Sequence, residues 1–177
     1  MKIRIAESQD YIKIRDFYYQ LTDEMEHAQF KPGWEKDVYP TQEFLMVSIK
    51  NQELFVCEKG EELISCMIVN HEYNDGYRNI KWSIDVEDSR LWVIHALGVR
   101  LSHTGRGIAK MMVQKVINLA KEAKMQAIRL DVLEGNLPAE SVYVEAGFSY
   151  VYTIIMYYED TGWTNFKVYE YLISQNQ

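Results

Sequence analysis

Apolar positions along the chain fall into two spacings, one alternating and one close to 3.6 residues. Ile3 and Ile5 alternate with polar neighbours and mark a short opening strand. Ser8 is suited to cap a helix, and the recurrence of Ile12, Ile14, Phe17, Tyr18 and Leu21 predicts one. His27 to Pro40, with Pro32-Gly33 and Trp34, loses all periodicity and reads as a loop. A second helix starts at Thr41 with Phe44 and contains Leu45, Val47 and Ile49. Leu54 to Glu58 and Leu63 to Asn70 read as a hairpin about Lys59-Gly60-Glu61-Glu62. Asn74-Asp75-Gly76 is a turn before Tyr77 to Ile84.

The second half is more regular. Leu91 to Val99 is apolar and rich in β-branched residues, as a buried strand is. After it, Thr104-Gly105-Arg106-Gly107-Ile108-Ala109 opens a helix with Ile108, Met111, Met112, Val116, Leu119, Ala120 and Ala123 at helical spacing on one face. A strand from Ala127 to Val132 follows, then a helix capped by Asn136 with Pro138 in its first turn. Tyr150 to Tyr158 and Phe166 to Ile173 close the chain as a hairpin about Asp160-Thr161-Gly162. The order βααβββαβαββ, without repeats or low-complexity linkers, predicts an α/β (α+β) fold. It is a mixed sheet covered by helices, in a single domain over residues 1–177.

Two glycines at a strand-to-helix turn let the backbone approach a ligand closely. The first-turn N–H groups of the helix have no partner within it, so they and the positive end of the dipole attract phosphate. Arg106 and Lys110 add positive charge on the same turn. The spacing is not that of a Walker loop, which needs four residues between its glycines and then Gly-Lys-Ser/Thr. A dinucleotide fingerprint needs a small residue where Lys110 stands, although Asp131 at the end of the next strand keeps a Rossmann-like reading open.

The same segment resembles the acyl-CoA loop of the GNAT acyltransferase superfamily, Gln/Arg-x-x-Gly-x-Gly/Ala before a long helix. Gly107 and Ala109 fit its small positions, and Thr104 stands where the family usually has Arg or Gln. Downstream, Asn136-x-x-Ala139-x-x-x-Tyr143-x-x-x-Gly147-Phe148 is similar to the family's following helix, in the same order after a strand. The resemblance implies a mostly antiparallel sheet in which the strands Leu91–Val99 and Ala127–Val132 splay apart to admit the pantetheine arm. It implies acetyl-CoA as acyl donor, bound by the backbone of Leu97, Val99, Thr104, Gly105, Arg106, Gly107, Ile108, Ala109 and Lys110. Asn136 would contact the pantetheine or order Tyr143. Tyr143 would protonate the departing thiolate.

Acyl transfer to an amine also needs a group that takes the amine's proton. His95 is the candidate, since imidazole titrates near 6.5 and this one lies on the acyl-CoA strand. Uninterrupted alternation would put Val93, His95, Leu97 and Val99 on one face, unless Gly98 marks a bulge. Glu72, Glu134 or a water are the alternatives. Arg129 and Asp131 share one face of their strand and read as a structural pair or as support behind the site. An N–H near Leu97 or Val99 would serve the oxyanion.

Composition narrows the remainder. A net charge of −7 argues against a nucleic-acid surface and favours a cationic amine, whether a small molecule or a peptide or protein amine. Cys57 and Cys66 are too few for a disulfide scaffold or a metal cluster, and no metal is expected. They read as buried thiols, not as nucleophiles, so a covalent acyl-enzyme is disfavoured. No apolar run approaches the ~20 residues of a membrane span, and the chain leads directly into its first strand, so the expected place is the cytoplasm. Trp34, Tyr39, Tyr73, Trp82 and Trp163 are aromatic residues free to line an acceptor pocket, to fill the core or to meet in a homodimer. The function expected is acetyl-CoA-dependent N-acyl transfer. A non-catalytic acyl-CoA-binding module is the alternative from another class.

Overall fold

Short polar contacts fix where the first helices begin. Thr41 caps α2 (Gln42–Lys50), its hydroxyl accepting from the Phe44 N–H at 3.0 Å. The chain enters α1 (Tyr11–Met25) through a 3₁₀ turn at Ser8–Asp10. There Asp10, not Ser8, does the capping work, accepting from the Glu7 N–H at 2.8 Å. The Asp10 carboxylate is also gripped by Arg4, which reaches across to Glu58, so one guanidinium ties the helix entry to the first two strands.

The computed structural model describes residues 1–174, and the last three positions of the expected 1–177 domain lie outside them. Among the described residues, the remaining elements follow the expected order. They are β1 (Lys2–Ile5), β2 (Leu54–Lys59), β3 (Glu62–Asn70), β4 (Leu91–Val99), α3 (Ile108–Glu122), β5 (Ala127–Leu133), α4 (Leu137–Glu145), β6 (Ser149–Tyr158) and β7 (Gly162–Leu172). The strands form one seven-stranded sheet in the order β1-β2-β3-β4-β5-β7-β6. Every pairing is antiparallel except β4 with β5. No helix among the described residues is long and apolar enough to cross a membrane.

One face of the sheet is covered by α3 and α4. The helix α3 buries Ile108, Met112, Val113, Val116, Ile117 and Ala120 against Ile128, Leu130 and Val132 of β5. Val113 and Ile117 take the place expected for Ala123, which is exposed at the helix end. Each large side chain so buried contributes about 1.5–3 kcal/mol of transfer free energy. The opposite face carries α1 and α2 over β2 and β3, with Ile14, Phe17, Tyr18, Leu21, Leu45 and Ile49 buried. The thiols of Cys57 and Cys66 are free and buried, as the sequence suggests.

The segment between β3 and β4 covers the rest of that face. Tyr77 to Ile84 holds no strand: a 3₁₀ turn spans Asp75–Asn79, and Tyr73, Tyr77, Trp82 and Ile84 pack onto Leu91, Val93 and Ala127. Beneath it lies a buried ion pair. Arg129 faces Glu170 directly across β5 and β7, with its Nε donating to Glu170 Oε1 at 2.9 Å. Trp82 stacks over the guanidinium at 4.1 Å, the Ile84 carbonyl accepts from Arg129, and the Ser83 N–H donates to Glu170. Arg129 is therefore partnered by Glu170 and not by Asp131, because the strand pairing puts an opposite charge at contact distance and Asp131 two residues further along.

Removing one member of such a pair strands a charge in a dry site. Glu170→Ala is expected to lower unfolding stability by about 3–5 kcal/mol. A urea midpoint that hardly moves would show that the pair is dispensable.

Candidate active site

β4 and β5 pair only over Leu91–Val93 and Ala127–Arg129. Past those residues the strands part, so the inner backbone edge of each loses its neighbour inside the sheet. β4 is also bulged. Ile68 opposes His95 and Cys66 opposes Gly98, which gives β4 one residue more than β3 over that interval. The extra residue is at Ala96, whose φ of +50° lies in the left-handed region. The Ala96 carbonyl accepts from the buried Tyr18 hydroxyl of α1 at 2.8 Å. Gly98 is not the bulge: a Cβ there would come within 2.5 Å of Leu21, so its role is to let α1 close onto the strand.

The bulge changes which side chains face which way. Ile94, Leu97 and Val99 pack toward α3. Ala96 packs toward α1, and the His95 ring meets Phe44 of α2 edge-on with centroids 5.9 Å apart. The single face expected for Val93, His95, Leu97 and Val99 is thus split at Ala96.

The gap between the strands is a cavity of about 830 Å³ that reaches both faces of the sheet. On the α3 side it is lined by Leu97, Val99, Thr104, Gly105, Gly107, Ile108, Ala109 and Lys110, and by Asn136, Ala139 and Tyr143 of the second motif. Gly105 and Gly107 have φ of +72° and +74°, and a Cβ on either would meet nothing within 4 Å. Those glycines answer the backbone's left-handed turn rather than crowding, and the space above them is open. Among the described residues no side chain caps α3, and its first-turn N–H groups, which have no partner within the helix, are at this space. On the other side the lining comes from Phe30, Trp34 and Tyr39 of the 27–40 loop, from His95 and Asp131, and from Tyr158, Asp160, Thr161 and Phe166 of the last hairpin.

A family model described as the acetyltransferase (GNAT) family matches residues 15–148, a stretch holding β4, the two-glycine turn and α4. The chain belongs to the GNAT acetyltransferase family. A GNAT-family acetyltransferase from Streptococcus agalactiae shares its fold at TM-score 0.79 and 21% identity, over 98% of this chain and 96% of that one. A Salmonella typhimurium protein solved with its cofactor acetyl-CoA matches at TM-score 0.71 and 13% identity, over 100% and 96%. An N-acetyltransferase from Staphylococcus aureus matches at 0.72 and 18%, over 98% of each chain. No curated protein sequence matches this chain.

With the GNAT fold in place, the residues singled out from the sequence can be located. Asn136 caps α4, accepting from the Ala139 N–H at 3.4 Å. Tyr143 is 7% exposed, rests edge-on against Phe148 and has no hydrogen-bond partner for its hydroxyl among the described residues. Burial, and then the charge of Asp131, hold that phenol above its ordinary range. Thr104 spends its hydroxyl on the Leu101 carbonyl, 2.8 Å away. Arg106 is exposed on the turn and off the cavity wall. Glu72 and Glu134 are exposed and line no part of the cavity, and Glu134 instead accepts from Asn165.

His95 faces two acceptors through the same nitrogen, the Asn70 Oδ1 at 2.9 Å and the Glu72 carbonyl at 3.1 Å. Nε2 therefore carries the proton and Nδ1 keeps its lone pair. Burial lowers this imidazole to about 4, against the partial support of the Glu72 carbonyl. Of the other histidines, His71 is tied by Nδ1 to the Asp88 and Leu91 carbonyls, whereas His103 is buried and lines the cavity at its α3 end. Tyr73 and Trp82 belong to the core, Trp163 is exposed, and Trp34 and Tyr39 line the cavity.

Asp160 on the wall escaped the sequence reading, and Asp131 entered it only as a partner of Arg129, as support behind the site or as the acid of a Rossmann-like fold. Asp131 Oδ2 accepts from Tyr77 at 2.8 Å and from Tyr158 at 3.0 Å, while Oδ1 has no partner among the described residues. Burial raises its carboxyl, against those two hydrogen bonds. Asp160, in the hairpin turn, is raised to about 6 by burial and, less, by the charges of Glu35 and Asp131. Nothing in the local pattern marks either, because both meet the cavity only once the sheet has split.

His95 supplies a pH test. Its folded pKa of about 4 lies below the unfolded 6.5, so the unfolded chain binds more protons between those values. The stability it confers is complete above pH 6.5 and is lost as pH falls toward 4. Asp160, raised from 3.8 to about 6, acts in the opposite sense over an overlapping window. Urea midpoints measured from pH 7 to 4 should fall less steeply in His95→Gln than in the wild type. An identical slope would mean that His95 is not held neutral by burial.

Proposed function

We propose that this chain, acting as a single domain, transfers an acetyl group from acetyl-CoA to a primary amine by direct attack within a ternary complex. The observation that carries the reading is the one cavity that joins the uncapped N-terminus of α3 to Tyr143 through the split sheet. Its α3 end suits a pyrophosphate, with unpaired N–H groups, open space over two left-handed glycines and Lys110 at the rim. The free inner edge of β4 beyond Val93 suits an amide-bearing arm, which would add to the strand as a peptide does.

The thioester supplies an activated acyl carbon with a thiolate as leaving group. Every other task falls to the chain. His95 Nδ1 takes a proton from the acceptor ammonium, directly or through water, while Nε2–H stays on Asn70 and the Glu72 carbonyl. A low imidazole pKa keeps the base unprotonated across the working range at the cost of basicity. A β4 N–H at Leu97 or Val99 donates to the acyl oxygen as negative charge gathers there. Tyr143 gives its phenolic proton to sulfur as the C–S bond breaks and recovers one from the new amide nitrogen through solvent. Acetyl-CoA and an ammonium thus yield an acetamide, free CoA thiol and one released proton. A phenol that burial holds protonated is suited to donate rather than to ionise.

Acetyl-CoA at about 100 times its Kd should stabilise the fold by about 2.7 kcal/mol, seen as a raised Tm, while NAD should not. Gly107→Asp sets a carboxylate against the pyrophosphate and should abolish that shift. Equal shifts in wild type and variant would show that the turn is not the cradle.

Tyr143→Phe keeps the ring and its packing on Phe148 and loses only the hydroxyl. Turnover should drop on the order of 10²-fold with little change in CoA affinity. An acyl donor with a much better leaving group should restore much of the rate. Full activity of the variant on acetyl-CoA would reduce Tyr143 to packing.

A further inference from the structure

The far half of the cavity carries a charge pattern that bears on which amine it accepts. Apart from tyrosines, its ionisable side chains among the described residues are Asp131, Asp160 and His95, and burial keeps the imidazole neutral. Among the described residues, Lys110 is the only lysine or arginine on the cavity wall, and it sits at the other end and pairs with Glu145 at 3.4 Å. The acceptor half therefore holds two acids and no permanent cation.

These acids stand on different elements of the cavity wall, Asp131 more deeply buried than Asp160. Asp131 is the inner one. It follows the parting of β4 and β5, and its charge is the one that acts on the Tyr143 phenol. Tyr77 and Tyr158 lock its Oδ2, which leaves Oδ1 free to accept from a ligand N–H. Asp160 is the outer one, in the turn of the last hairpin, and it feels Glu35 of the 27–40 loop. Trp34, Tyr39 and Phe166 line the space with aromatic carbon, to which the methylenes of an alkyl chain and the faces of an ammonium are both attracted. Tyr143 gives an independent sign that this space is meant for a ligand: the residue is nine-tenths buried and lines the same cavity, and its hydroxyl has no partner among the described residues.

We infer that the acceptor is an α,ω-diamine or a longer polyamine, its reacting amine held by Asp131 Oδ1 beside Tyr143 and its distal ammonium by Asp160. This assignment rests on the acetyltransferase reading and narrows it. An N–H of the reacting nitrogen donates to Oδ1 whether that nitrogen is charged or neutral, so Asp131 keeps its hold after deprotonation. The distal nitrogen stays charged throughout and contributes through the Asp160 pairing in a partly desolvated turn. A monoamine of equal length lacks that second contact, and an ω-amino acid brings a carboxylate against Asp160.

The test compares kcat/KM for α,ω-diaminoalkanes, n-alkylamines and ω-amino acids of matched length, with acetyl-CoA as donor. Diamines should lead monoamines by at least about 30-fold, with ω-amino acids last. Asp160→Asn should bring the diamine-to-monoamine ratio close to unity, and Asp160→Lys should move the preference toward ω-amino acids. The acetyl-CoA Tm shift verifies that each variant is folded. If acetyl-CoA protects and monoamines are acetylated as well as diamines, or the ratio survives Asp160→Asn, the diamine assignment falls while the acetyltransferase reading stands. If acetyl-CoA neither protects the protein nor is consumed with any amine, the reading itself fails and takes the assignment with it.

Discussion

Beyond Val93 and Arg129 no hydrogen bond joins β4 to β5, and the sheet must accommodate two backbone edges that have lost each other. Buried edges of this kind are costly unless something else pairs with them. Each strand is held from its outer side, β4 by β3 and β5 by β7, so the gap persists without unravelling the sheet. The bulge at Ala96 supports the parting: it bends β4, and a non-glycine residue at φ +50° stays there because Tyr18 holds its carbonyl and its methyl is packed in the core. The cavity, the two-sided access and the meeting of residues from distant parts of the chain all follow from that separation.

The two ends of the gap are chemically opposed. At the α3 end the backbone supplies partial positive charge from unpaired N–H groups. At the loop end the side chains supply negative charge from Asp131 and Asp160, inside an aromatic wall. The order of charge along the cavity is therefore suited to an anionic donor entering from one face and a cationic acceptor from the other.

Element order and the two motifs were legible because they rest on local rules. A capping Asn136, a glycine pair before an amphipathic helix and alternating apolar strands are each set by a few neighbouring residues. The sites of failure are where distant chain segments decide. Alternation in β4 could not reveal that the extra residue is Ala96, because Tyr18, on α1, holds it there. The sharing of one strand face left Arg129 and Asp131 open as a pair or as support for the site, and only strand order set Glu170 opposite Arg129. Segment 77–84 took no element from its local pattern, and only strand order shows that its Trp82 covers the Arg129–Glu170 pair. Asp160 sits in an ordinary hairpin turn, and it shares the cavity wall with the 27–40 loop, more than a hundred residues away in the chain.

The hydrogen bond from Tyr18 to the Ala96 carbonyl bears on modularity. The strand, glycine turn and helices that carry the family's motifs do not by themselves contain the shape of the gap. Part of it is imposed by a phenol on a helix 78 positions earlier in the chain. Grafting residues 91–148 onto another sheet would carry the motif letters across without the constraint that bends β4. The site is a property of two halves of the chain clasping one peptide group, and it is not a cassette.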